Sequence, residues 1–389
     1  MSIRLFLTTT VTAVFLFTCS AHAEKAESFD QAKTLSVQTG KPVLLEFNHD
    51  DCIHCQQATR ELDSLPDVIA KLQSVVLYRL SVLQGDGTAM AETFRIGTSY
   101  PVFILTDSAG NVITRWTGYT GSDRFLVLLD KALADRMTID QRVIKCQNVP
   151  SPVDVQFLAN YYADTREYLK ALSYVHELQT LQPGVNLDYR VFGLTAEAVW
   201  NSLLPFDSLT VAADHMLANP DGNKYYYGEM AQTMANVARR SKQTDRMAKY
   251  LMAGIEATAQ LKKPAEVDMH RDLLADYALH SLNDTTEALR VKKLALGDGW
   301  DTDPARYFRF GEWCFRRGIN LDEAERFIRT ATEKSTEDKS RAMHLRVLAE
   351  LCYSRGKTAE AIKLANESLA LDPTAIWFEK KLDDWRTGK

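Results

Sequence analysis

The sequence predicts two architectures in one chain, a small α/β domain followed by an all-α helical-repeat solenoid. Between residues 28 and 133, helical stretches alternate with short apolar runs that have the length of buried strands. Beyond residue 152 the strand-like alternation stops, and small residues recur every 36 to 40 positions. The 389 residues suffice for two or three domains, and only 18 glycines and 11 prolines interrupt them, which favours long helices.

Composition and charge exclude several classes of protein. A hydrophobic share of 46% and a charged share of 25% are those of a globular chain, not of a disordered or collagen-like one. The net charge of −5 gives no basic excess that would point to nucleic acid or to an anionic membrane surface. Six cysteines are too few for a small disulfide scaffold, so their positions carry the information.

The first 23 residues have the pattern of a secretory signal peptide. Arg4 precedes an apolar run over 5–17, and Ala21-His22-Ala23 fits the small-x-small cleavage pattern. A spanning helix needs about 20 apolar residues, so this run is too short, and no later run has membrane length. We expect cleavage after Ala23 and a periplasmic or secreted product, where disulfides persist. An uncleaved anchor and a lipid on Cys19 are the alternatives.

The elements of the first domain follow in the order α, β, α, β, α, β, β, α. A helix over 28–39 stops at Gly40, and an apolar strand follows at 43–47. The remaining elements are a helix at 56–65, a strand at 75–82, a helix after the loop 85–89, hairpin strands at 102–105 and 112–116, and a closing helix at 125–133.

Cys52-x-x-Cys55 lies at the junction between the first strand and the second helix. Together with Gly85-Asp86-Gly87-Thr88-Ala89, Tyr100-Pro101 and Gly118, it makes residues 26–135 resemble a thioredoxin-fold domain of the exported thiol–disulfide oxidoreductase type. The resemblance implies a cis-proline at Pro101 opposite the cysteines and a buried acid at Glu46. Asp51 departs from the family, where an aromatic residue usually precedes the first cysteine, and this bears on partner preference and potential.

The chemistry of the cysteine pair can be argued from its spacing. The thiolate is the nucleophile in disulfide exchange, and two cysteines spaced i, i+3 on one helical turn can face each other. If Cys52 begins a helix, unpaired backbone N–H groups stabilise its thiolate, and a protonated His54 would add to this. Asp50 and Asp51 oppose the effect through like-charge repulsion. We therefore expect Cys52 to attack and Cys55 to resolve, at a potential above that of cytosolic thioredoxin.

Two further residues complete the expected catalytic set. Glu46 on a buried strand would have a pKa raised by desolvation and could carry the proton of Cys55, whereas an acid at a strand edge would remain in water. A cis Pro101 would present backbone for strand-like pairing with a substrate, whereas an ordinary trans proline would only begin a strand.

Metal binding is the competing interpretation of the C-x-x-C pair. A structural zinc site needs four ligands, usually from two such pairs, and this chain has no second pair. His49 and His54 are close enough in sequence for a copper or zinc site of two cysteines and two histidines to be conceivable. Because ligands this close in sequence rarely complete a tetrahedron, we expect redox chemistry, with no metal and no cofactor.

The rest of the chain predicts a linker at 137–152 and helical repeats at 153–389. The linker ends in Pro150-Ser151-Pro152. The recurring small residues are Ala171, Ser208, Ala248, Ala288, Ala324 and Ala361, and three prolines each follow one of them by 12 positions: Pro183, Pro220 and Pro373. With the turn glycines Gly318 and Gly356, this pattern resembles the tetratricopeptide repeat family, in which a glycine ends the first helix of each pair and a proline ends the second. Trp377, Phe378 and Trp385 suit a C-terminal capping helix.

A repeat array of this kind would bind protein or peptide on its groove rather than carry out chemistry. The family register places six residues there, although each could equally be an ordinary packing residue: Phe308, Glu312, Phe315, Arg346, Glu350 and Tyr353. Cys314 and Cys352 are expected to be small buried hydrophobes. Cys146 could pair with another chain, pair with a catalytic cysteine, or be buried.

The sequence therefore leaves functions of different classes open. The first is an exported thiol–disulfide oxidoreductase at 24–136 that exchanges with a client or reductant protein, while the repeats recruit that client. The second is an interaction scaffold in which the redox domain is ancillary. A metal-handling protein that uses Cys52, Cys55 and a histidine is a third.

Overall fold

The computed structural model describes residues 24–220, 222–297 and 300–387. The chain divides into two compact units, with the boundary between Leu194 and Thr195. The expected signal peptide at 1–23 lies outside the described residues. In the ranges that are described, no helix is both long and apolar enough to cross a bilayer.

A five-stranded mixed sheet forms the centre of the N-terminal domain, with the strand order β1-β3-β2-β4-β5. The strands are β1 (Glu24–Lys25), β2 (Val43–Asn48), β3 (Val76–Ser81), β4 (Val102–Thr106) and β5 (Val112–Thr117). β2 pairs in parallel with β3 and antiparallel with β4. Because β2 is central and covered on both faces, all of its first five residues are buried, as its unbroken apolar run predicts.

Five helices cover the two faces of this sheet: α1 (Phe29–Thr39), α2 (Ile53–Ser64), α3 (Pro66–Leu72), α4 (Asp86–Thr93) and α5 (Ser122–Ala134). Leu44, Leu77 and Phe103 form a core with α2, α3 and α5, whereas Phe47 and Val76 point to the other face. The expected order of elements is confirmed. The sequence interpretation missed the short β1 and also α3, which Pro66 begins at the first helical position.

The segment 137–152, expected to be a polar linker, instead contains helix α6 (Ile139–Asn148). A capping box between Thr138 and Gln141 starts the helix, and Ile139, Arg142 and Cys146 are buried. Arg142 is buried because it forms an ion pair with the equally buried Asp154. A polar pattern does not show that its charges are paired in the interior, and for this reason the sequence favours a linker where the structure has a helix. The domain bounds themselves stay a prediction.

The described ranges beyond residue 151 contain thirteen further α-helices: α7 (Pro152–Asp164), α8 (Tyr168–Leu181), α9 (Asp188–Trp200), α10 (Phe206–Ala218), α11 (Lys224–Arg240), α12 (Ala248–Thr258), α13 (Pro264–His280), α14 (Thr285–Leu294), α15 (Pro304–Arg317), α16 (Leu321–Lys334), α17 (Asp338–Ser354), α18 (Thr358–Leu371) and α19 (Ile376–Thr387). Consecutive helices pack as hairpins, for example α7 with α8, α15 with α16 and α17 with α18. The described part of this region is all-α, as expected.

The repeat register is right in four units and wrong in two. Ala171, Ala288, Ala324 and Ala361 each occupy the fourth position of the second helix and are fully buried. In α10 and α12 the fourth positions are Leu209 and Leu251, also fully buried, whereas the aligned Ser208 and Ala248 are half-buried. The turns before α10 and α12 are longer than those before α8 and α18, so counting by small residues lost the register.

A residue with left-handed backbone lies in every turn between the two helices of a pair. Gly318 and Gly356 have φ of 67° and 76°, as expected for glycines that end a helix. Where glycine is absent, the same region of φ is occupied by Arg166, Ser202, Lys242 and Asn283. Pro183, Pro220 and Pro373 follow the ends of α8, α10 and α18, as expected.

We expect Gly356→Ala to lower the free energy of unfolding by about 1 kcal/mol, because a residue with a Cβ is disfavoured at this left-handed φ. The loss would come from the backbone alone, since no atom lies within 4 Å of a Cβ added at Gly356. Gly193→Ala is the matched control: Gly193 is exposed in the interior of α9 with equally open surroundings, so alanine should stabilise by about 0.5 to 1 kcal/mol. Urea unfolding followed by circular dichroism measures both. Equal effects of the two substitutions would contradict the assignment of the turn.

Two histidines occupy equivalent places between neighbouring repeats. His344 of α17 is buried, stacks on Phe308 with ring centroids 4.2 Å apart, and has its Nδ1 3.0 Å from Ser335 Oγ. His270 of α13 has its Nδ1 2.9 Å from Thr258 Oγ1. Burial lowers the pKa of both imidazoles, so both favour the neutral form.

Acid should therefore destabilise the helical unit. A histidine whose pKa is lowered by folding binds fewer protons when folded, so the free energy of unfolding falls as the pH drops through the pKa of the unfolded state. Between pH 7.5 and 5.5 we expect a loss on the order of 1 kcal/mol for each of His270 and His344, measured by urea unfolding. The double variant His270→Gln/His344→Gln should show a shallower pH dependence. A variant of the exposed His176, His176→Gln, should keep the wild-type slope.

Candidate active site

The two cysteines of the C-x-x-C motif are joined by a disulfide at the N-terminus of α2. Cys52 is the N-cap of this helix, its Cα lies 5.1 Å from that of Cys55, and its Sγ accepts the N–H of Cys55 at 3.1 Å. Cys52 is half-buried, whereas Cys55 is only 3% exposed. An incoming sulfur can therefore reach Cys52 but not Cys55. The backbone N–H groups at this helix end, with that of Cys55 directed at Sγ, favour a thiolate on Cys52.

The loop between β2 and α2 is held by its neighbours. The carbonyl oxygen of His49 accepts the N–H of Cys52 at 3.0 Å. Asp50 accepts hydrogen bonds from Ser81 Oγ at 3.0 Å and from Gln84 Nε2 at 3.2 Å, which ties this loop to the end of β3. Asp51 and His54 are exposed beside the cysteines. The contribution of His54 to thiolate stability stays a prediction.

The Tyr100–Pro101 peptide bond is cis, as the resemblance implied. Antiparallel pairing sets Phe47 opposite Val102, so Tyr100 and Pro101 meet the loop that leads from β2 to Cys52. The ring of Tyr100 lies 5.4 Å from that of His49, and Pro101 O accepts the N–H of Gly118 at 2.7 Å. The structure thus brings the proline loop and the cysteine loop to the same end of the sheet.

Glu46 is fully buried, but it has a cationic partner that the sequence interpretation missed. Parallel register sets it opposite Arg79 on β3, whose Nε donates to Glu46 Oε2 at 2.6 Å, and Asn48 Nδ2 donates to Oε1 at 3.1 Å. Arg79 also donates to Asp63 at 2.7 Å. Burial raises the pKa of Glu46, and the Arg79 guanidinium opposes this shift. The sequence does contain a signal for this pair, because one acidic residue, Glu46, and one basic residue, Arg79, each interrupt an otherwise apolar strand.

A second polar group, also missed, lies on α2 below the cysteines. Tyr119 is buried and its hydroxyl donates to Glu61 Oε2 at 2.7 Å, while Gln57 Nε2 donates to Oε1 at 2.9 Å. These two hydrogen bonds lower the pKa of Glu61. Burial and the contact with Glu61 raise the pKa of Tyr119, so the phenol remains protonated. The pair ties α2 to the segment after β5 and helps to hold the cysteine-bearing helix against the sheet.

The remaining cysteines of the described chain are buried free thiols. Burial raises the pKa of Cys146, that of Cys314 to about 12 and that of Cys352 to about 11. Since the thiolate is the reactive form, all three are poor nucleophiles. Cys314 and Cys352 are buried, as expected of small hydrophobic residues. Cys146 is also buried and unbonded, which is one of the three alternatives that its sequence position left open.

One group in the described ranges could bring three metal-ligand atoms together, and it belongs to the second compact unit. It consists of Glu325, Cys352 and Glu360. Arg329 donates to Glu325 at 2.8 Å and to Glu360 at 2.5 Å, and Lys357 contacts Glu325 at 2.9 Å. These cations already neutralise the carboxylates, so the cluster is a salt-bridge network between repeats.

Most of the residues expected to face the repeat groove make contacts within the chain. Phe308 is buried against His344, and Tyr353 stacks on Trp385 with ring centroids 4.6 Å apart. Three ion pairs involve the charged members: Arg346 with Asp372 at 2.9 Å, Glu350 with Arg316 at 2.7 Å, and Glu312 with Arg316 at 3.4 Å. The packing interpretation therefore describes these residues better than the groove interpretation. In α19, Phe378 and Trp385 are buried as expected of a cap, but Trp377 is exposed.

Comparison with a protein-family model agrees with the geometry of the N-terminal domain. Residues 29–133 match the family model described as a thioredoxin-like domain. The N-terminal α/β domain is thioredoxin-like. A thioredoxin from Thermus thermophilus is 22% identical, with 33% of this chain and 96% of that chain covered and a TM-score of 0.27. YrrB, a TPR protein described as having an unusual peptide-binding site, is 13% identical over 61% of this chain and 95% of that chain, with a TM-score of 0.26. No curated protein matches the chain.

Loss of Arg79 should expose the energetic cost of the buried acid in this thioredoxin-like domain. We expect Arg79→Gln to lower the free energy of unfolding by about 3 kcal/mol at pH 7.5, because Glu46 then has no cationic partner. A raised pKa means that the folded state binds the extra proton, so the stability of this variant should increase as the pH falls from 7.5 to 5.5. Urea unfolding at both pH values measures the two effects.

The double variant Glu46→Gln/Arg79→Gln provides the control. It should be more stable than Arg79→Gln alone at pH 7.5 and should lose this pH dependence, because no buried carboxylate remains. Additive losses from the two single substitutions would show that the residues do not interact energetically.

Proposed function

We propose that this protein is a thiol–disulfide oxidoreductase that acts at Cys52 and Cys55. The single observation that carries the proposal is the asymmetric exposure of the bonded pair, with an accessible Cys52 at a helix N-terminus and a buried Cys55 behind it. A structural disulfide has no need of one reachable sulfur, whereas an exchanging pair needs a nucleophile and a protected resolving thiol.

The proposed reaction is a pair of thiolate displacements. In the reduced protein the Cys52 thiolate attacks one sulfur of a client disulfide, so a mixed disulfide forms and the first client thiolate leaves. The Cys55 thiolate then attacks Cys52 Sγ and releases the second client thiolate. Two electrons have passed to the client, and the Cys52–Cys55 bond has formed. The reverse sequence oxidises a client dithiol and leaves the pair reduced.

We propose supporting roles for Glu46 and Pro101 in this exchange. Cys55 must lose its proton before it attacks, and the ionised carboxylate of Glu46 would accept that proton. Glu46 is buried on the central strand, and burial raises its pKa, which favours uptake of the proton. The neighbouring Arg79 would stabilise Glu46 after it has given its proton to solvent. Pro101, beside the cysteine loop, would offer its flanking backbone to an extended client segment.

The helical repeats would serve to recruit the client or the protein that renews the redox state of the pair. This follows the general use of helical-repeat surfaces for protein contacts. The signal-peptide pattern at 1–23 supports action in the periplasm or outside the cell, where both redox states of a cysteine pair can be used. An adaptor with an inactive redox domain is the competing function.

Disulfide reduction by the full-length chain tests the proposal. With dithiothreitol as the electron donor, the protein should accelerate insulin reduction, and Cys52→Ser should abolish the acceleration because the attacking sulfur is gone. Cys55→Ser should accumulate a mixed disulfide that is visible on a non-reducing gel. Cys146→Ser is the control, and it should keep wild-type activity because this thiol is buried.

A wild-type rate equal to that of the Cys52→Ser/Cys55→Ser variant would overturn the enzymatic assignment. In that case the protein would be an interaction scaffold, which binds its partner proteins without catalysing disulfide exchange.

A further inference from the structure

The first helical hairpin of the array packs on the thioredoxin-like domain, within the compact unit that ends at Leu194. Arg115 of β5 is only 9% exposed, and its Nη1 donates to the carbonyl oxygen of Phe94 at 2.9 Å. Burial lowers the pKa of Arg115, and the negative charge of Asp164, at the end of α7, opposes this shift. Arg115 is therefore bonded to the segment after α4 and lies within electrostatic range of the end of α7.

Arg166 in this turn is placed against the segment that leads to the cis-proline. Its guanidinium lies over Gly97, where an added Cβ would come within 2.9 Å of Arg166 Nη2. Gly97 has no left-handed φ, so its lack of a side chain provides space for the arginine rather than backbone freedom. Arg166 itself has a φ of 61°, a conformation that is unfavourable for a residue with a Cβ. Left-handed backbone occurs in every hairpin turn of the array, so the space at Gly97 is the feature that accommodates this side chain.

A second arginine lies beside it. Arg95 also has left-handed backbone, its side chain is 57% exposed, and its Nη1 is 3.5 Å from Glu167 Oε1. Glu167 is shared with Lys170, at 2.6 Å. Arg166 is exposed, and in the described part of the chain no carboxylate lies within ion-pairing distance of it. The surface formed by Arg95, Gly97 and Arg166, called here the arginine surface, therefore carries an excess of positive charge.

The arginine surface adjoins the reactive disulfide through two aromatic rings. Gly97 is three residues before Tyr100. Burial raises the pKa of Tyr100, and the positive charge of Arg166 opposes this rise. The Tyr100 ring stacks near that of His49, whose carbonyl oxygen holds the N–H of Cys52. A client segment extended along the backbone before Pro101 would pass the arginine surface while its sulfur lies at Cys52. The acidic residues Asp50 and Asp51 lie in the cysteine loop itself. The positive charge of the arginine surface lies instead beside the segment that leads to Pro101.

We propose that Arg166, together with Arg95, is a specificity residue that selects client polypeptides with acidic side chains next to the reactive cysteine. The proposal rests on the proposed disulfide exchange and names the class of client for that site. Arginine suits this task because its planar guanidinium donates two parallel hydrogen bonds to a carboxylate. The first helical hairpin would then be part of the substrate-binding surface of the redox domain.

Two matched peptide disulfides test the proposal. One is a homodimer linked through a single cysteine that is flanked on both sides by two glutamates, and the other has glutamine at these four positions. With the full-length protein and dithiothreitol as the electron donor, KM should be lower for the glutamate peptide at low ionic strength. Arg166→Ala should raise that KM about three- to fivefold and leave kcat and the glutamine peptide unchanged, as expected for one exposed charge contact.

Three further measurements separate recognition from a structural role. Arg166→Lys should restore part of the preference because it keeps the charge, and Arg166→Glu should reverse the preference. Lys131→Ala is the matched control, since Lys131 is an exposed cation in the last turn of α5. The redox potential and the thermal midpoint should not change in any of these variants. Added salt should reduce the preference of the wild type for the glutamate peptide.

The outcomes separate this inference from the proposed function. If the wild type reduces both peptides with equal KM, or if Arg166→Ala keeps the preference, the role of Arg166 is refuted while disulfide exchange stands. If the wild type reduces neither peptide nor insulin, the proposed function itself fails. An equal rise in KM for both peptides in Arg166→Ala would show that the side chain supports the shape of the proline loop and not charge recognition.

Discussion

The pairing of β2 with both of its neighbours is the constraint on which the candidate active site depends. Parallel register with β3 puts Arg79 against Glu46, and antiparallel register with β4 brings Tyr100 and Pro101 to the loop that carries Cys52. Because side chains alternate along a strand, a slip of one residue would separate both sets of partners. The apolar residues of β2, buried on both faces, make such a slip costly, so the hydrophobic core also fixes the chemistry.

Buried charge is the second theme of the N-terminal unit. Glu46 with Arg79, Arg142 with Asp154, and Arg115 near Asp164 each place an arginine in or at the edge of the interior. Burial opposes ionisation of Asp154, but hydrogen bonds from Lys145, Ser151 and Arg142 lower its pKa to about 2. Such pairs contribute little net stability yet are costly to break, and they join β2 to β3 and α6 to α7.

The helical region gains its regularity from turns and small buried positions rather than from sequence identity between units. Each hairpin turn has a left-handed residue, and the fourth position of each second helix is buried whether it is alanine or leucine. Most residues on the expected groove are engaged in stacking or ion pairs between repeats. The first hairpin differs, because it presents Arg166 to the proline loop of the redox domain. Recruitment and exchange would then share one surface.

The cis bond before Pro101 was implied by the resemblance to the thioredoxin fold. The sequence by itself determined the order of elements at 28–133, the C-x-x-C pair at a helix start and the helical-repeat class. These features depend on spacing within short segments, and hydrophobic period, turn residues and caps encode such spacing locally. Only the tertiary structure decided that Glu46 has Arg79 as its partner, that 139–148 is a packed helix, and that Arg166 lies over Gly97. Each of these depends on residues that are distant in the chain or on charges hidden in the interior. Their partners are set by strand register and by helix docking, which no local pattern records.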